Sequence, residues 1–216
     1  MAKARILIAD DHAIVRRGLR ALALSQRAWE VCGEAQNGRE AVEMSATLKP
    51  DVAILDIGMP ELNGLDAARQ ILRNDPRVEI LILTMHQSEE VVREVLKAGA
   101  RGYVLKSDAD ENLVKAIEAL LQHKPFFTSD ITDVILANYL DNGNEPVAPA
   151  RPRVTTRERE VIQLLCEGKS NKEVAAAFDI SVRTVETHRA TIMHKLGLTS
   201  LSDLVRYAIR NKIVEP

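Results

Sequence analysis

Residues 5 to 122 alternate short apolar runs with longer amphipathic stretches. The apolar runs predict five strands: Arg5–Ala9, Trp29–Ala35, Val52–Asp56, Ile80–Thr84 and Gly102–Leu105. The stretches between and after them predict five helices: His12–Ser25, Gly38–Leu48, Gly64–Asn74, Ser88–Ala98 and Asp110–Gln122. Regular strand–helix alternation indicates an α/β unit, a doubly wound five-stranded parallel sheet with helices on both faces.

The pattern changes after residue 122. A further amphipathic helix is predicted over Ser129–Leu140, with Thr128 or Ser129 as its N-cap. Residues 141–153 are rich in Asn, Gly and Pro and poor in apolar side chains, which is typical of a linker. We therefore predict one domain over residues 1–124, an extra helix and linker over 125–153, and a second domain over 154–216.

The second domain has a wholly helical pattern. Four helices are predicted: Thr156–Glu167, Asn171–Phe178, Val182–Leu196 and Ser200–Asn211. Gly168 and Gly197 stand where C-cap glycines end helices. A small all-α domain of four short helices with brief turns is typical of a DNA-binding module.

Composition agrees with two domains. The chain has 216 residues, of which 46% are hydrophobic, enough for more than one core. Residues 1–150 hold 17 Lys and Arg against 23 Asp and Glu, whereas residues 151–216 hold 12 against 8. An acidic first domain with a basic second one indicates that only the second meets a polyanion.

No leader peptide or long apolar segment is visible, so we expect a soluble, cytoplasmic protein with no membrane partner. Cys32 and Cys166 fall in different predicted domains, and neither has a second cysteine nearby. They predict no disulfide or zinc site, and we expect both to be buried as small apolar residues.

Polar residues stand at or just beyond four strand ends: Asp10 and Asp11, Asp56, Thr84, and Lys106. In a parallel α/β sheet these ends meet beside the topological switch point, where ligands bind. Crowded carboxylates need a cation, and an oxygen-only set favours Mg²⁺. Ordinary loop roles would explain any one of these residues, but not the shared placement.

The chemistry that fits is phosphoryl transfer to a carboxylate, which needs a nucleophilic oxygen, a divalent cation, a cationic side chain and a hydroxyl donor. Asp56 is the expected nucleophile. Asp11, Asp56 and the carbonyl of Gly58 would hold the metal, with Asp10 acting directly or through water. Lys106 and Thr84 would contact phosphoryl oxygens.

The ordered set Asp10-Asp11-His12, Asp56-Ile57-Gly58-Met59-Pro60, Thr84 and Lys106-Ser107 resembles the receiver domains of two-component systems, which have the flavodoxin-like fold. The resemblance covers about the first 122 residues. It implies phosphorylation of Asp56 from a sensor histidine kinase, with no independent enzyme activity. It also implies that Tyr103 is an aromatic switch residue, although core packing explains a strand tyrosine equally well. Gly58 and His86 hold positions that tune acyl phosphate lifetime in receivers.

Residues 155–216 resemble the LuxR-type helix-turn-helix through Thr156–Val161, Gly168–Ala175, Ile180-Ser181, Thr184–His188 and Lys195-Leu196. With the receiver, this is the architecture of the NarL/FixJ response regulators. The resemblance implies a transcription regulator that binds double-stranded DNA and forms a homodimer when phosphorylated. The residues expected to contact DNA are Lys172, Arg183, Thr184, Glu186, Thr187, His188, Arg189, Ala190 and Lys195.

The predicted helix Val182–Leu196 has two faces. A helical wheel stacks Val185, Ile192 and Leu196 as a core stripe. The opposite, exposed face, suited to reading base edges, holds Arg183, Glu186, Thr187, Ala190 and His194. Ser181 is the expected N-cap.

Two features of the second domain leave alternatives open. Glu186 and Ala190 stand where some family members present lysines, so the preferred DNA sequence is expected to differ. In the last helix, Leu201, Leu204, Val205 and Ala208 repeat at helical spacing, which suits either a dimer seam or core packing.

Rival functions fit less well. An aspartyl-phosphate phosphatase would need an Asp-x-Asp-x-Thr motif, and a nucleotide-binding protein a glycine-rich phosphate loop, and the chain has neither. A LuxR regulator that senses a small molecule would need an apolar pocket in place of the acidic set. His12 and His86 suggest a softer metal site, but a hard cation has no need of imidazole. A generic helical bundle would explain the charge of the second domain but not its motifs.

Overall fold

The structure is a computed structural model, and it describes residues 3–85, 88–128 and 154–214. The chain separates into two compact units, Met1–Asn144 and Glu145–Pro216. The predicted helix Ser129–Leu140, the linker 141–153 and the position of His86 lie outside the described residues. The predictions made for them, and the proposed domain limits among them, stay predictions.

One parallel sheet organises the described part of the first unit. Its six strands are β1 (Ala4–Ala9), β2 (Trp29–Ala35), β3 (Val52–Asp56), β4 (Glu79–Thr84), β5 (Gly102–Leu105) and β6 (Phe126–Phe127). They lie in the order β2-β1-β3-β4-β5-β6. Strand order reverses between β1 and β3, so the switch point predicted from the sequence is present there.

Helices cover both faces of this sheet. They are α1 (Ala13–Leu24), α2 (Gly38–Leu48), α3 (Gly64–Asn74), α4 (Glu89–Lys97) and α5 (Ala109–Leu121). Apolar side chains of α1 and α5 share one core cluster with the sheet, and those of α2, α3 and α4 share the other. Because both faces are covered, every residue of β3 and β4 is buried, which explains why these strands read as continuous apolar runs. The predicted doubly wound α/β fold is confirmed.

The three helices on one face of the sheet, α2, α3 and α4, begin at capping residues. The Oδ1 atoms of Asn37 and Asn63 accept hydrogen bonds from the third residue of α2 and α3, at 2.8 and 2.9 Å. Ser88 Oγ accepts one from the third residue of α4 at 3.3 Å. Such caps satisfy amides that the first helical turn leaves free.

The prediction of five strands was wrong by one, since β6 adds a sixth at the sheet edge. It pairs in parallel with β5, Gly102 opposite Phe126 and Tyr103 opposite Phe127. Two residues are too few to show a strand period, so hydrophobic patterning could not detect β6. Only the long-range pairing reveals it.

The described part of the second unit contains four helices: α6 (Thr156–Cys166), α7 (Asn171–Phe178), α8 (Val182–Leu196) and α9 (Leu201–Arg210). Capping boxes open α6 and α7, with Thr155 paired to Glu158 and Ser170 to Glu173. Gly168 and Gly197 have φ values of +84° and +64°, which confirms the predicted helix ends. All four predicted helices are present within one or two residues of their predicted limits.

The apolar stripe of α9 serves mainly as core. Leu204 and Ala208 are fully buried in the cluster that unites the four helices, whereas Leu201 is 43% exposed. For Leu204 and Ala208, the choice between core packing and a dimer seam is thus decided in favour of core packing. The free cysteines Cys32 and Cys166 are half-buried rather than fully buried.

Candidate functional site

The polar strand-end residues converge at one edge of the sheet. Asp56 ends β3 and Thr84 ends β4, and both side chains are buried. Asp10 follows β1 directly and is fully buried, while Lys106 follows β5 in a short 3-10 turn. Parallel strands bring their carboxyl ends together, so residues 96 positions apart in sequence meet here.

Lys106 connects two of the carboxylates. Its Nζ lies 2.8 Å from Oδ2 of Asp10 and 2.9 Å from Oδ1 of Asp56. Burial of the ammonium by itself lowers its pKa, but the adjacent carboxylates of Asp10 and Asp56 outweigh that effect and raise the pKa of Lys106 above its ordinary value. The lysine is therefore positively charged at neutral pH.

Asp11 and His12 complete the cluster at its exposed side. His12 Nδ1 lies 2.6 Å from Oδ1 of Asp11 and 3.4 Å from Oδ1 of Asp10. One ligand atom from each of Asp10, Asp11, His12 and Asp56 can be chosen so that all four lie within 4.8 Å of one another. The structure thus places an imidazole beside the carboxylates, a proximity that the sequence argument had set aside.

The donor set fits a hard divalent cation. Oδ2 of Asp10 is buried, and the Lys106 ammonium, 2.8 Å away, is the charged group beside it. One lysine charge cannot offset three carboxylates, so a cation at the cluster would relieve their repulsion. Gly58, whose carbonyl is the other predicted ligand, lies two residues beyond Asp56 in the β3–α3 loop and is half-buried.

Two glycines at helix starts let the backbone pack closely against the β3–α3 loop and the end of β3, and the sequence argument missed both. A Cβ on Gly64 would lie 2.0 Å from the carbonyl oxygen of Asp56, and one on Gly38 would lie 2.0 Å from that of Leu62. The amide of Gly64 also donates to the carbonyl of Ile57 at 3.0 Å. Their places at the starts of α3 and α2 were the available signal, since a glycine there is often a site of close backbone approach.

Tyr103 lies on β5, one strand away from Thr84. Its side chain is fully buried in the cluster shared with α2, α3 and α4. Burial raises the pKa of its phenol to about 12. This environment accounts for Tyr103 as a core residue, and its role as a switch stays a prediction.

In the second unit, the exposed face of α8 is the one predicted from the helical wheel. Arg183, Thr184, Glu186, Thr187 and Ala190 are all exposed. The other face carries the buried Val185 and Ile192 and the half-buried Leu196, and His194 is exposed as predicted. Ser181 Oγ accepts a hydrogen bond from the amide of Thr184 at 3.1 Å, which confirms it as the N-cap.

The remaining residues predicted to contact DNA differ in their solvent exposure and in their partners within the domain. Lys172 is exposed in the first turn of α7, and His188 and Arg189 are half-buried on α8. Lys195 Nζ is 2.7 Å from Oε2 of Glu158, the acidic residue of the α6 capping box. Lys195 therefore has a partner inside the domain, a contact that only the tertiary structure reveals.

Two family models match this chain. Residues 6–118 match the family described as response regulator receiver domain. Residues 153–208 match the family described as bacterial regulatory proteins, luxR family. Each match lies within one of the two units.

Two of three similar proteins match nearly the whole chain, and the third matches 64% of it. The oxygen regulatory protein NreC of Staphylococcus aureus strain JH9 is 38% identical over 98% of this chain and 99% of its own length. A LuxR-family two-component response regulator from Aurantimonas sp. SI85-9A1 is 37% identical over 64% of this chain and 99% of that one, with a TM-score of 0.60. The response regulator RcsB in its complex with DNA is 27% identical over 97% of this chain and 98% of that one, with a TM-score of 0.59.

No helix among the described residues is both long and apolar enough to cross a membrane. The first unit has the sheet and the acidic strand-end cluster of a receiver, and the second has a helix-turn-helix with an exposed α8 face. With the two family matches and the full-length relatives, these features show that the chain belongs to the response regulators that join a receiver domain to a LuxR-type DNA-binding domain.

Proposed function

We propose that Asp56 accepts a phosphoryl group from a sensor histidine kinase and that phosphorylation promotes binding of double-stranded DNA by a homodimer. The observation that carries this proposal is the placement of Lys106, whose Nζ lies 2.9 Å from Oδ1 of Asp56 at the switch point. A lysine so placed stabilises negative charge that develops on a phosphoryl group beside Asp56.

In the transfer, a carboxylate oxygen of Asp56 forms a bond to phosphorus while the bond from phosphorus to the donor histidine nitrogen breaks. Lys106 stays charged and binds a phosphoryl oxygen, and the Thr84 hydroxyl donates to another. Asp10, Asp11, Asp56 and the Gly58 carbonyl are the groups that would hold Mg²⁺. The bound ion would supply charge neutralisation at the phosphoryl oxygens. The chain acts as a phosphoacceptor and carries out no further reaction of its own.

Phosphate labelling tests the acceptor. Acetyl phosphate with Mg²⁺ should label the wild type, and Asp56→Asn should abolish the label because an amide is a poor nucleophile. Asp110→Asn, an exposed position on α5, is the matched control and should be labelled normally. Undiminished labelling of Asp56→Asn, or equal labelling of the wild type in EDTA, would show that the assignment is wrong.

We further propose that α8 lies in the major groove of DNA. Thr187 and Ala190 occupy its exposed face and are suited to base edges, while Lys172 at the start of α7 is suited to the phosphate backbone. Glu186 would accept from a cytosine amino group. Because Lys195 is paired with Glu158, we give it a smaller part in the contact than its sequence position suggests.

A pair of substitutions separates the two kinds of DNA contact. Thr187→Ala should change the ranking of operator sequences, since base contacts specify. Lys172→Ala should weaken binding to all sequences alike and reduce the salt dependence, since it would remove one phosphate contact. Titrations of labelled operators at two salt concentrations measure both effects. If both variants weakened binding uniformly, Thr187 would not be a base-reading residue.

A further inference from the structure

A chain of polar and charged side chains leaves the β3–α3 loop and ends on α4. It begins at Asn63, the N-cap of α3, whose Oδ1 accepts from the amide of Asp66 at 2.9 Å. Asn63 Nδ2 in turn donates to Oδ2 of Asp66 at 3.0 Å. Asp66 is only 2% exposed. A carboxylate this deeply buried needs polar partners, and its arrangement is therefore tightly specified.

Arg69, on α3, links this series of side chains to α4. Its Nη1 lies 2.7 Å from Oδ1 of Asp66, and its Nη2 lies 3.1 Å from Oε2 of Glu94. Lys97 Nζ lies 3.1 Å from the other carboxylate oxygen of Glu94. A guanidinium is a rigid planar fork, so the two carboxylates that it binds keep a fixed separation.

The Asn63 end of this series of side chains is joined to β3, the strand that carries Asp56. Gly64, next to Asn63, donates its amide to the carbonyl of Ile57 at 3.0 Å. Gly64 also packs so closely that an added Cβ would be 2.0 Å from the carbonyl oxygen of Asp56. The first turn of α3 therefore cannot shift independently of the backbone around Asp56.

We propose that the chain Asn63–Asp66–Arg69–Glu94 couples the state of Asp56 to the position of α4. The proposal deepens the proposed function and rests on Asp56 as the phosphoacceptor. A change of the β3–α3 loop moves the first turn of α3, and Arg69 transmits the movement because it binds Asp66 and Glu94 together. This connection runs through α3, separately from the predicted Thr84 and Tyr103 switch on β4 and β5.

Glu94→Ala tests the coupling, because it removes the α4 end and leaves the buried Asp66–Arg69 pair in place. Glu90→Ala is the matched control: Glu90 is exposed on the same helix and makes no ion pair among the residues with described contacts. Glu94→Gln keeps one oxygen for Arg69 and should give an intermediate result. The readout is amide hydrogen exchange in the full-length protein, with and without Mg²⁺ and beryllofluoride, which mimics the phosphoryl group.

In the wild type and in Glu90→Ala, beryllofluoride should change exchange both in residues 57–63 and in α4. In Glu94→Ala the change in residues 57–63 should persist, and the change in α4 should fall to less than half. An α4 response as large in Glu94→Ala as in the wild type would overturn the coupling, as would a wild type whose loop responds and whose α4 does not.

A separate hydrogen-exchange measurement without beryllofluoride distinguishes failure of the coupling to α4 from failure of the phosphoacceptor assignment. Glu94→Ala should exchange several-fold faster than Glu90→Ala in the first turn of α3, because Arg69 loses one of its two anchors. If beryllofluoride leaves exchange in residues 57–63 of the wild type unchanged, the phosphoacceptor assignment fails. The measurement without beryllofluoride then tests the Arg69 connection between α3 and α4 by itself. Equal exchange rates in the two variants would then overturn the connection.

Discussion

At the scale of single residues, burial and charge determine the protonation of the site. Lys106 is held in its charged form by Asp10 and Asp56, which raise its pKa. The contribution of this charge to stability is therefore full below the unfolded-state pKa, which for lysine is about 10.4, and is lost as the pH rises through the higher folded-state value. Around neutral pH the ammonium is available to a phosphoryl group at all times.

Tyr103 offers a test of burial on β5. Its phenol titrates at about 12 in the folded protein, whereas an unfolded tyrosine ionises at about 10. The unfolded state therefore loses its proton first, and the free energy of unfolding should fall as the pH rises from about 10 to about 12. By linkage the fall is on the order of 2–3 kcal/mol.

Urea unfolding of the wild type and Tyr103→Phe across this pH range measures the effect. Tyr103→Phe should lack the part of the fall in the free energy of unfolding that comes from the phenol. It should keep the part that comes from Lys106 and other groups. If the two stability curves ran parallel from pH 9 to pH 12, the phenol would not be held neutral by burial.

At the scale of elements, the start of α3 determines where the phosphoacceptor loop lies. The loop between β3 and α3 is fixed by the Asn63 cap and by the close packing of Gly64 against the Asp56 carbonyl. A helix start without a side chain lets the backbone approach to a distance that any Cβ would prevent. The geometry of Asp56 and Gly58 therefore depends on a residue that touches neither phosphate nor metal.

Two glycine substitutions make a matched pair. Gly64→Ala should destabilise the fold by about 1–3 kcal/mol through overpacking and should slow labelling of Asp56. Gly18→Ala, in α1 with open space around the added Cβ, should instead stabilise by about 0.5–1 kcal/mol and leave labelling unchanged. Thermal unfolding and acetyl phosphate labelling measure the two effects. Normal labelling of a folded Gly64→Ala protein would contradict a role for this packing in positioning Asp56.

At the scale of the whole molecule, sensing and binding belong to separate compact units with separate cores. A single helix-turn-helix contacts a modest surface, and two half-sites bound together gain an effective concentration that neither has alone. Dimerisation is therefore an efficient way for a phosphoryl group in one unit to control DNA binding by the other.

We expect beryllofluoride with Mg²⁺ to shift the protein from monomer to dimer and to raise operator affinity in parallel, since it biases a pre-existing equilibrium. Sedimentation and operator titrations on the same samples measure both quantities. Asp56→Asn is the control and should respond in neither assay. A rise in operator affinity in a protein that stays monomeric, free and on DNA, would exclude the dimer mechanism and favour release of a covered recognition helix.

Much of the site and fold could be predicted from local patterns. The apolar runs gave the five longer strands within a residue, and Gly168, Ser181 and Gly197 placed three helix ends in the second unit, because these signals act over a few residues. The positions of Asp10, Asp56, Thr84 and Lys106 followed from one topological rule, that parallel strands end together at a switch point.

The sequence by itself determined the family, the order of the elements and the residue types that gather at the strand ends. Tertiary structure decided what depends on contacts between distant residues: the pairing of β6 with β5, the partner of Lys195, the His12 contact with the acidic cluster, and the close approach of Gly64 to Asp56. The physical reason is range. Hydrophobic period and capping are set by neighbours in the chain, whereas edge pairing, ion pairs between helices and backbone packing depend on how elements are placed in space.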